Sequence, residues 1–139
     1  MERETEGGCL CGAVRVVARG EPERVGLCHC LDCRKHSGTL FFAAAIFPEE
    51  AVSVSGETRA YRNRVSSPDA PRASGERHFC PTCGSSVFGL WDGEVDLHLG
   101  ALDAPDQFTP TYELWTVRRE AWLPGFELEG FEEDRTKGS

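Results

Sequence analysis

The sequence predicts a single, mainly β domain with little helix. Short stretches with strand-like alternation are separated by turns that contain Gly, Pro and Asp, and no heptad pattern or internal repeat is present. At 139 residues the chain can bury roughly two thirds of its unfolded surface, so a hydrophobic core is expected. All seven cysteines fall into three clusters, a pattern typical of metal ligands. Bound zinc would supplement the core.

The first two predicted strands carry the first cysteines. Residues 8–19 alternate in polarity, and because side chains in a strand repeat every two residues, Cys9 and Cys11 would point to the same side. A turn at residues 20–22 precedes the second strand, residues 24–29, which delivers Cys28. The C-x-C pair is therefore a candidate half of a metal site.

The remaining elements are one short helix and further strands. Asp32 is the predicted N-cap of the helix, and Gly38 is predicted to end it. Asp92-Gly93 is a hairpin signal. Further strands are predicted at residues 40–47, 52–54, 58–62, 86–91, 95–99, 111–117 and 121–123.

The composition predicts one structured unit with flexible ends. Residues 1–7 are expected to form a flexible N-terminus, and residues 8–125 the zinc-binding β domain. Within that domain, residues 65–75 contain two prolines, three serines and a glycine, which predicts a mobile loop. Residues 126–139 are expected to form an acidic and polar C-terminal tail that frays.

The net charge and the longest apolar run argue against two classes of partner. The net charge is −8, whereas nucleic-acid binding draws most of its affinity from cationic side chains, so no nucleic-acid partner is expected. The longest apolar run, residues 40–47, is far shorter than the roughly 20 residues that a membrane-spanning helix needs. No secretory signal is visible at the N-terminus. A soluble, cytoplasmic protein is therefore predicted, and in a reducing compartment clustered cysteines are expected to be metal ligands or redox groups.

Spacing alone allows two partitions of the cysteines. The C-x-x-C-G motif at residues 80–84 is the strongest signal, because a tight turn can present both sulfurs to one ion. A redox role for this pair would need a βαβ context, and the sequence shows none. One partition pairs the 80/83 cysteines with those at 30 and 33. We favour pairing them with the 9/11 cysteines, because the other three are close in sequence and can converge on one ion unaided.

Three motifs together resemble a known family. They are G-C-x-C-G-A-V-R at residues 8–15, C-H-C-x-x-C-R-K at residues 28–35 and F-C-P-x-C-G at residues 79–84. Their joint occurrence resembles the glutathione-dependent formaldehyde-activating enzymes, also called the centromere protein V type domain. The resemblance implies an Mss4-like β fold, two zinc ions per chain and a carbon-sulfur lyase that acts on adducts of glutathione, or another small thiol, with formaldehyde or a related aldehyde. It also implies a structural zinc on Cys9, Cys11, Cys80 and Cys83, and a second, catalytic-type zinc on Cys28, Cys30 and Cys33.

The chemistry of a three-thiolate zinc site agrees with thiol chemistry. Two positive charges on the metal and three thiolates leave one net negative charge, so the site is a weak Lewis acid and hydrolysis is disfavoured. A substrate thiol could enter the fourth position as a thiolate. Arg34 and Lys35, which follow the last ligand, are candidates to bind a substrate carboxylate, and His29 is a candidate proton carrier.

A second hypothesis is a zinc-stabilised protein-interaction module without catalytic activity. It predicts that a protein side chain closes the fourth position of the three-cysteine site. His36, which lies close to Cys33 in sequence, is the candidate for that ligand.

Overall fold

Two β-sheets form the framework of the protein, in agreement with the predicted mainly β class. The computed structural model describes residues 2–62 and 75–135. The strands are β1 (Glu4–Gly8), β2 (Arg15–Arg19), β3 (Arg24–Cys28), β4 (Phe42–Pro48), β5 (Val52–Ser55), β6 (Arg59–Arg62), β7 (Glu76–Phe79), β8 (Ser86–Trp91), β9 (Glu94–His98), β10 (Tyr112–Leu114) and β11 (Glu129–Gly130). Helix α1 spans Leu31–Ser37, and short 3-10 helices span Glu49–Ala51, Leu99–Ala101 and Thr116–Arg118.

The sheets are largely antiparallel. The smaller has the strand order β1-β2-β5, and the larger has the order β11-β10-β3-β4-β9-β8-β7-β6. The exceptions among the described strands are at one end of the larger sheet, where β10 pairs in parallel with both β3 and β11. Buried side chains from both sheets form the main core: Val14, Val16, Ala18, Val25, Ala45, Phe47, Val87, Phe88, Val95 and Leu97.

Within the described residues, both terminal segments contain strands that the sequence did not predict. The expected flexible N-terminus instead contains β1, which pairs with β2 and buries the side chain of Thr5 completely. In the expected C-terminal tail, β11 pairs with β10, and the carbonyl of Glu133 accepts a hydrogen bond from the Trp115 amide. These backbone partners lie far away in sequence, which explains why local composition did not reveal them. The predicted mobile loop, residues 65–75, lies outside the described residues except for Gly75.

Three predicted strands differ in the structure. The stretch 111–117 is a strand only at Tyr112–Leu114 and continues into the 3-10 helix Thr116–Arg118. The strand expected at residues 8–19 is divided, because residues 9–14 turn, with Gly12 at φ 84°, and β2 begins only at Arg15. The stretch 121–123 is a turn rather than a strand. The β8–β9 hairpin is confirmed, and its turn residues Asp92 and Gly93 have φ values of 46° and 80°, as a type I′ turn requires.

Helix α1 begins two residues earlier than predicted. Cys30, not Asp32, is its N-cap, because the Cys30 Sγ accepts a hydrogen bond from the Cys33 amide at 3.2 Å. Gly38 ends the helix, as predicted, in the left-handed conformation with φ 72°. The thiol that caps the helix is thus also a candidate metal ligand.

Gly26 permits the close parallel pairing of β3 with β10. A Cβ at this position would lie 2.3–2.8 Å from ring atoms of Tyr112. We therefore expect Gly26→Ala to displace the ring and to lower the free energy of unfolding by about 1–3 kcal/mol, measured as a shift of the urea midpoint. Gly100→Ala is the matched control, because no atom of the described residues other than its chain neighbours lies within 4 Å of its Cβ position. Equal midpoints for the two variants would contradict the prediction.

Candidate metal centres and the adjoining cavity

Two turns bring four cysteines together at one end of the protein. Cys9 and Cys11 lie in the turn before β2, and Cys80 and Cys83 lie in the turn between β7 and β8. Their sulfurs lie within 4.8 Å of one another. The Leu10 amide donates to the Ser85 hydroxyl at 2.9 Å and joins the two turns. We name this group the four-thiol cluster.

The geometry of the four-thiol cluster fits zinc. The Sγ atoms of Cys9 and Cys11 are 3.6 Å apart, and those of Cys11 and Cys80 are 3.8 Å apart. A tetrahedron with zinc-sulfur bonds of about 2.3 Å separates its sulfurs by about 3.8 Å. The amide of Val14 donates to the Cys9 Sγ at 3.2 Å, which favours a thiolate there.

A second group of thiols lies where β3 ends and α1 begins. Cys28, Cys30 and Cys33 are all buried, and their sulfurs lie within 4.8 Å of one another. Trp115 and Leu114 pack against them from the opposite end of the chain. We name this group the three-thiol cluster; among the described residues no further Cys, His, Asp or Glu joins it.

The donor set of the three-thiol cluster also fits a soft divalent cation. No disulfide links these residues. Burial raises the pKa of the Cys33 thiol well above its usual range. Three buried thiols in mutual contact cannot all ionise without a cation, and zinc holds such sulfurs as thiolates. The partition of the cysteines into four and three matches the one favoured on spacing, and the alternative ribbon of cysteines 30, 33, 80 and 83 does not form.

The three-thiol cluster forms part of the wall of a cavity of about 560 Å³. Trp91 and Trp115 supply flat apolar walls. Trp115 is buried in the left-handed conformation, with φ 55°, and its indole Nε1 donates to Asp134 at 3.1 Å. A bulky side chain in this region is strained, and such strain is concentrated at functional sites.

Charged side chains of both signs line the same cavity. They are Arg24, Arg77, Asp92, Glu94, Asp96, Asp134 and Arg135. Arg24 is held by two hydrogen bonds to the Glu94 carboxylate, at 3.0 and 2.8 Å. Asp134 and Arg135 come from the C-terminal segment that follows β11. The cavity therefore suits a small polar molecule with charged groups.

The structure directs Arg34 and Lys35 away from the cavity. Arg34 donates to the Glu120 carboxylate at 2.6 Å and to the Arg118 carbonyl at 2.9 Å, and Lys35 is exposed. Neither side chain belongs to the cavity lining. The proposed carboxylate contact by these two residues thus finds no support in the geometry, because successive helix positions turn them outward.

His29 is also turned away from the three sulfurs. Its ring is fully buried and its Nε2 bonds to the Glu113 carboxylate at 2.8 Å. The ring is not part of the cavity lining. The extended backbone between Cys28 and Cys30 explains this orientation, since neighbours in an extended segment point to opposite sides. The pair joins the cysteine loop to β10 and does not reach the cavity.

Arg77, like Arg24 and Arg135, is a cationic side chain at the cavity that the sequence analysis did not identify. It lies on β7, and its Nη1 is 3.8 Å from the Cys33 Sγ. The sequence feature that could have indicated Arg77 is its position three residues before Cys80, in the segment that leads into the turn of Cys80 and Cys83. No spacing rule connects such a residue with a cysteine of another cluster.

His36 forms part of a polar group instead of joining the three thiols. Its Nδ1 bonds to the Ser86 hydroxyl at 3.1 Å, and the same hydroxyl lies 3.3 Å from Nδ1 of His98. The fourth-ligand role that the interaction-module hypothesis gave to His36 therefore lacks geometric support.

The half-buried position of His98 predicts a pH dependence of stability. Burial, with the charges of His36 and Arg77, lowers the pKa of His98 to about 4. In the unfolded chain the pKa of the His98 side chain is about 6.5, so as the pH falls the unfolded state takes up a proton before the folded state does. The stability that is present above about pH 6.5 is therefore lost as the pH falls toward 4. Between about pH 7 and pH 5 this group should account for a loss of roughly 2 kcal/mol.

Urea unfolding at both pH values, with metal content verified, measures this loss. His98→Asn should show a loss smaller by about the same 2 kcal/mol, because the titrating group is absent. A variant whose pH dependence equals that of the wild type would refute the assignment.

The fold and the two clusters define a class of small β-sheet proteins. Their cysteine clusters could hold metal ions, and one of the two clusters borders a cavity large enough for a small ligand. The family model described as glutathione-dependent formaldehyde-activating enzyme matches residues 4–118. The chain belongs to this family.

Individual relatives agree with that assignment. A putative glutathione-dependent formaldehyde-activating enzyme of Halomonas elongata is 30% identical over 138 residues, which cover 94% of this chain and 84% of the relative. An uncharacterized lyase of Schizosaccharomyces pombe is 31% identical over 85 residues, covering 61% of this chain and 56% of that protein. The crystal structure of a Rhodobacter sphaeroides protein has a similar fold, with a TM-score of 0.55 and 21% identity over 73% of this chain and 91% of that one.

The helices in the described parts of the chain, 2–62 and 75–135, do not have the length and apolar character that crossing a membrane requires.

Proposed function

We propose that this protein is a zinc-dependent carbon-sulfur lyase that forms and cleaves adducts of glutathione, or another small thiol, with formaldehyde or a related aldehyde. The observation that carries the proposal is the position of the three-thiol cluster in the wall of a cavity of about 560 Å³. The family and the names of the two curated relatives support the same reaction class.

The proposal gives the two clusters different tasks. The four-thiol cluster would hold a structural zinc, because four sulfurs complete its coordination. The three-thiol cluster would hold a second zinc with one position available on the cavity side. Zinc bound there would favour the thiolate form of an entering thiol. Two zinc ions per chain are therefore proposed.

The residues of the chain itself bind the thiol and the aldehyde and orient them. In adduct formation the thiol sulfur bonds to the carbonyl carbon, the π electrons of the carbonyl move to its oxygen, and that oxygen receives the proton that the thiol lost. Cleavage is the reverse, and neither direction needs an oxidant or a reductant. The indoles of Trp91 and Trp115 restrict the space beside the sulfurs, and holding both reactants there supplies proximity.

A turnover assay tests the proposal. Glutathione and ethanethiol are each mixed with formaldehyde, and adduct formation is followed by NMR with zinc-loaded protein, metal-free protein and buffer. We expect acceleration with the zinc-loaded protein alone. Equal rates in all three samples, with two zinc ions per chain verified by elemental analysis, would refute it.

The interaction-module hypothesis retains one structural argument. Trp122 is 70% exposed and Val117 is 55% exposed, and both follow β10. Exposed large apolar side chains of this kind mark interaction sites in some proteins. The same assay separates the two hypotheses, because a module without catalytic activity accelerates neither thiol. A cytoplasmic location is proposed together with the enzyme, since reduced small thiols are abundant there.

A further inference from the structure

We propose that Arg77 is a positioning residue that offsets the negative charge of the metal-loaded three-thiol cluster and so allows a substrate thiolate to enter. The inference rests on the proposed function, because it concerns the same cavity. It gives a task to a residue that none of the cysteine motifs contains.

The first argument is the contact between Arg77 and the cluster. The guanidinium Nη1 lies 3.8 Å from the Cys33 Sγ, which is the distance of a long, charge-assisted hydrogen bond to sulfur. Arg77 is only 9% exposed and lines the cavity next to Cys30 and Cys33. A charge that is shielded from water acts more strongly on its neighbours than a charge on the surface.

The second argument is that the scaffold fixes the guanidinium in place. Arg77 lies in the middle of β7, where it pairs with Gly89 of β8 and Tyr61 of β6. Its guanidinium carbon lies 5.3 Å from the centroid of the Trp91 ring, within the range of a cation–π contact. The rigid strand and the aromatic face keep the cation beside the sulfur at little further entropic cost.

The third argument is the charge of the loaded cluster. A divalent ion with three thiolates has one net negative charge, and an entering thiolate makes two. Repulsion of the entering anion would oppose binding unless a cation lies near. Arg77 supplies such a cation, because its Nη1 contacts a cluster sulfur directly.

The test uses cobalt-loaded, full-length protein, in which thiolate binding changes the sulfur-to-metal absorption bands. Ethanethiol is titrated first, because it has a thiol but no carboxylate. We expect Arg77→Gln to weaken ethanethiol binding by roughly 10- to 100-fold, the range for residues that contact metal ligands. Arg77→Lys keeps the charge but not the planar group that lies over Trp91, so it should lose less than about tenfold in ethanethiol affinity. Arg59→Gln, on the exposed face of β6, is the matched control and should leave binding unchanged.

Glutathione is the second probe and separates charge offset from carboxylate recognition. If Arg77 acted by binding a substrate carboxylate, Arg77→Gln would weaken glutathione binding but not ethanethiol binding, and that result would overturn the inference. Wild-type binding of ethanethiol by Arg77→Gln, or failure of the wild type to bind either thiol, would also overturn it.

A fallback variant and a comparison of thiol binding with turnover distinguish the possible outcomes. If Arg77→Gln does not unfold cooperatively, Arg77→Lys carries the test, and a loss of ethanethiol affinity greater than about tenfold in that variant contradicts the inference. The inference and the enzyme assignment can fail separately. Thiol binding that depends on the charge at position 77, without turnover of any adduct, would refute only the enzyme. If the wild type turns over the adduct but Arg77→Gln binds thiols as tightly as the wild type does, only the role of Arg77 is refuted.

Discussion

Replacement of Cys80 by serine is expected to abolish stable folding. Cys80 is completely buried, and its sulfur lies 3.8 Å from that of Cys11, across the junction of two turns that are remote in sequence. Structural zinc sites contribute about 10–16 kcal/mol in small zinc-binding peptides, which is comparable to the total stability of about 5–15 kcal/mol of an ordinary domain. Loss of one of four ligands should therefore remove most of the free energy of unfolding.

Circular dichroism during thermal unfolding, together with metal analysis, measures this effect. We expect no cooperative transition for Cys80→Ser above room temperature, and loss of the ion from the four-thiol cluster. Thr82→Ser is the matched control, since Thr82 is exposed in the same turn and is not part of the cluster. A variant that melts within a few degrees of the wild type would show that the four-thiol cluster contributes little to folding.

Cys30→Ser should have the opposite profile, with activity lost and the fold preserved. The Cys30 sulfur accepts the Cys33 amide as the N-cap of α1, and a serine hydroxyl is one of the best N-cap acceptors. The helix start is therefore retained while one of three thiol ligands is removed. Metal ions supply several kcal/mol of transition-state stabilisation, so a decrease in turnover of roughly a thousandfold is expected.

Steady-state turnover, melting temperature and metal content are measured on the same Cys30→Ser preparation. We expect about one of two ions to be lost, with a melting temperature close to that of the wild type. Lys35→Ala is the control on the same helix, because Lys35 is exposed and does not line the cavity. If Cys30→Ser melts as low as Cys80→Ser, the division into a structural and a functional cluster is wrong.

Local patterns were sufficient for much of the fold and for the grouping of the candidate metal ligands. The β8–β9 hairpin follows from Asp92-Gly93, and the end of α1 follows from Gly38, because each needs only the conformational preference of one or two residues. The cysteines could be grouped because thiols with these spacings have few other uses. Such features depend on short segments, which a sequence displays directly.

The remaining features depend on contacts between remote segments. Arg77 reaches Cys33 from β7, and Asp134 fixes the Trp115 indole from the end of the chain. No periodicity encodes either contact. Arg34 was a poor candidate for the cavity because adjacency to a ligand in sequence does not set side-chain direction on a helix. The cavity walls therefore could not be read from the cysteine motifs alone.

The parallel pairing of β3 with β10 has a consequence for biosynthesis. His29 and Glu113, which join these two segments, are 84 residues apart. At about 5–20 residues per second, a ribosome needs on the order of ten seconds to add that length. During this interval the nascent thiols at the end of β3 lack the wall that later shields them, so cellular metals and oxidants compete for them before the cavity exists.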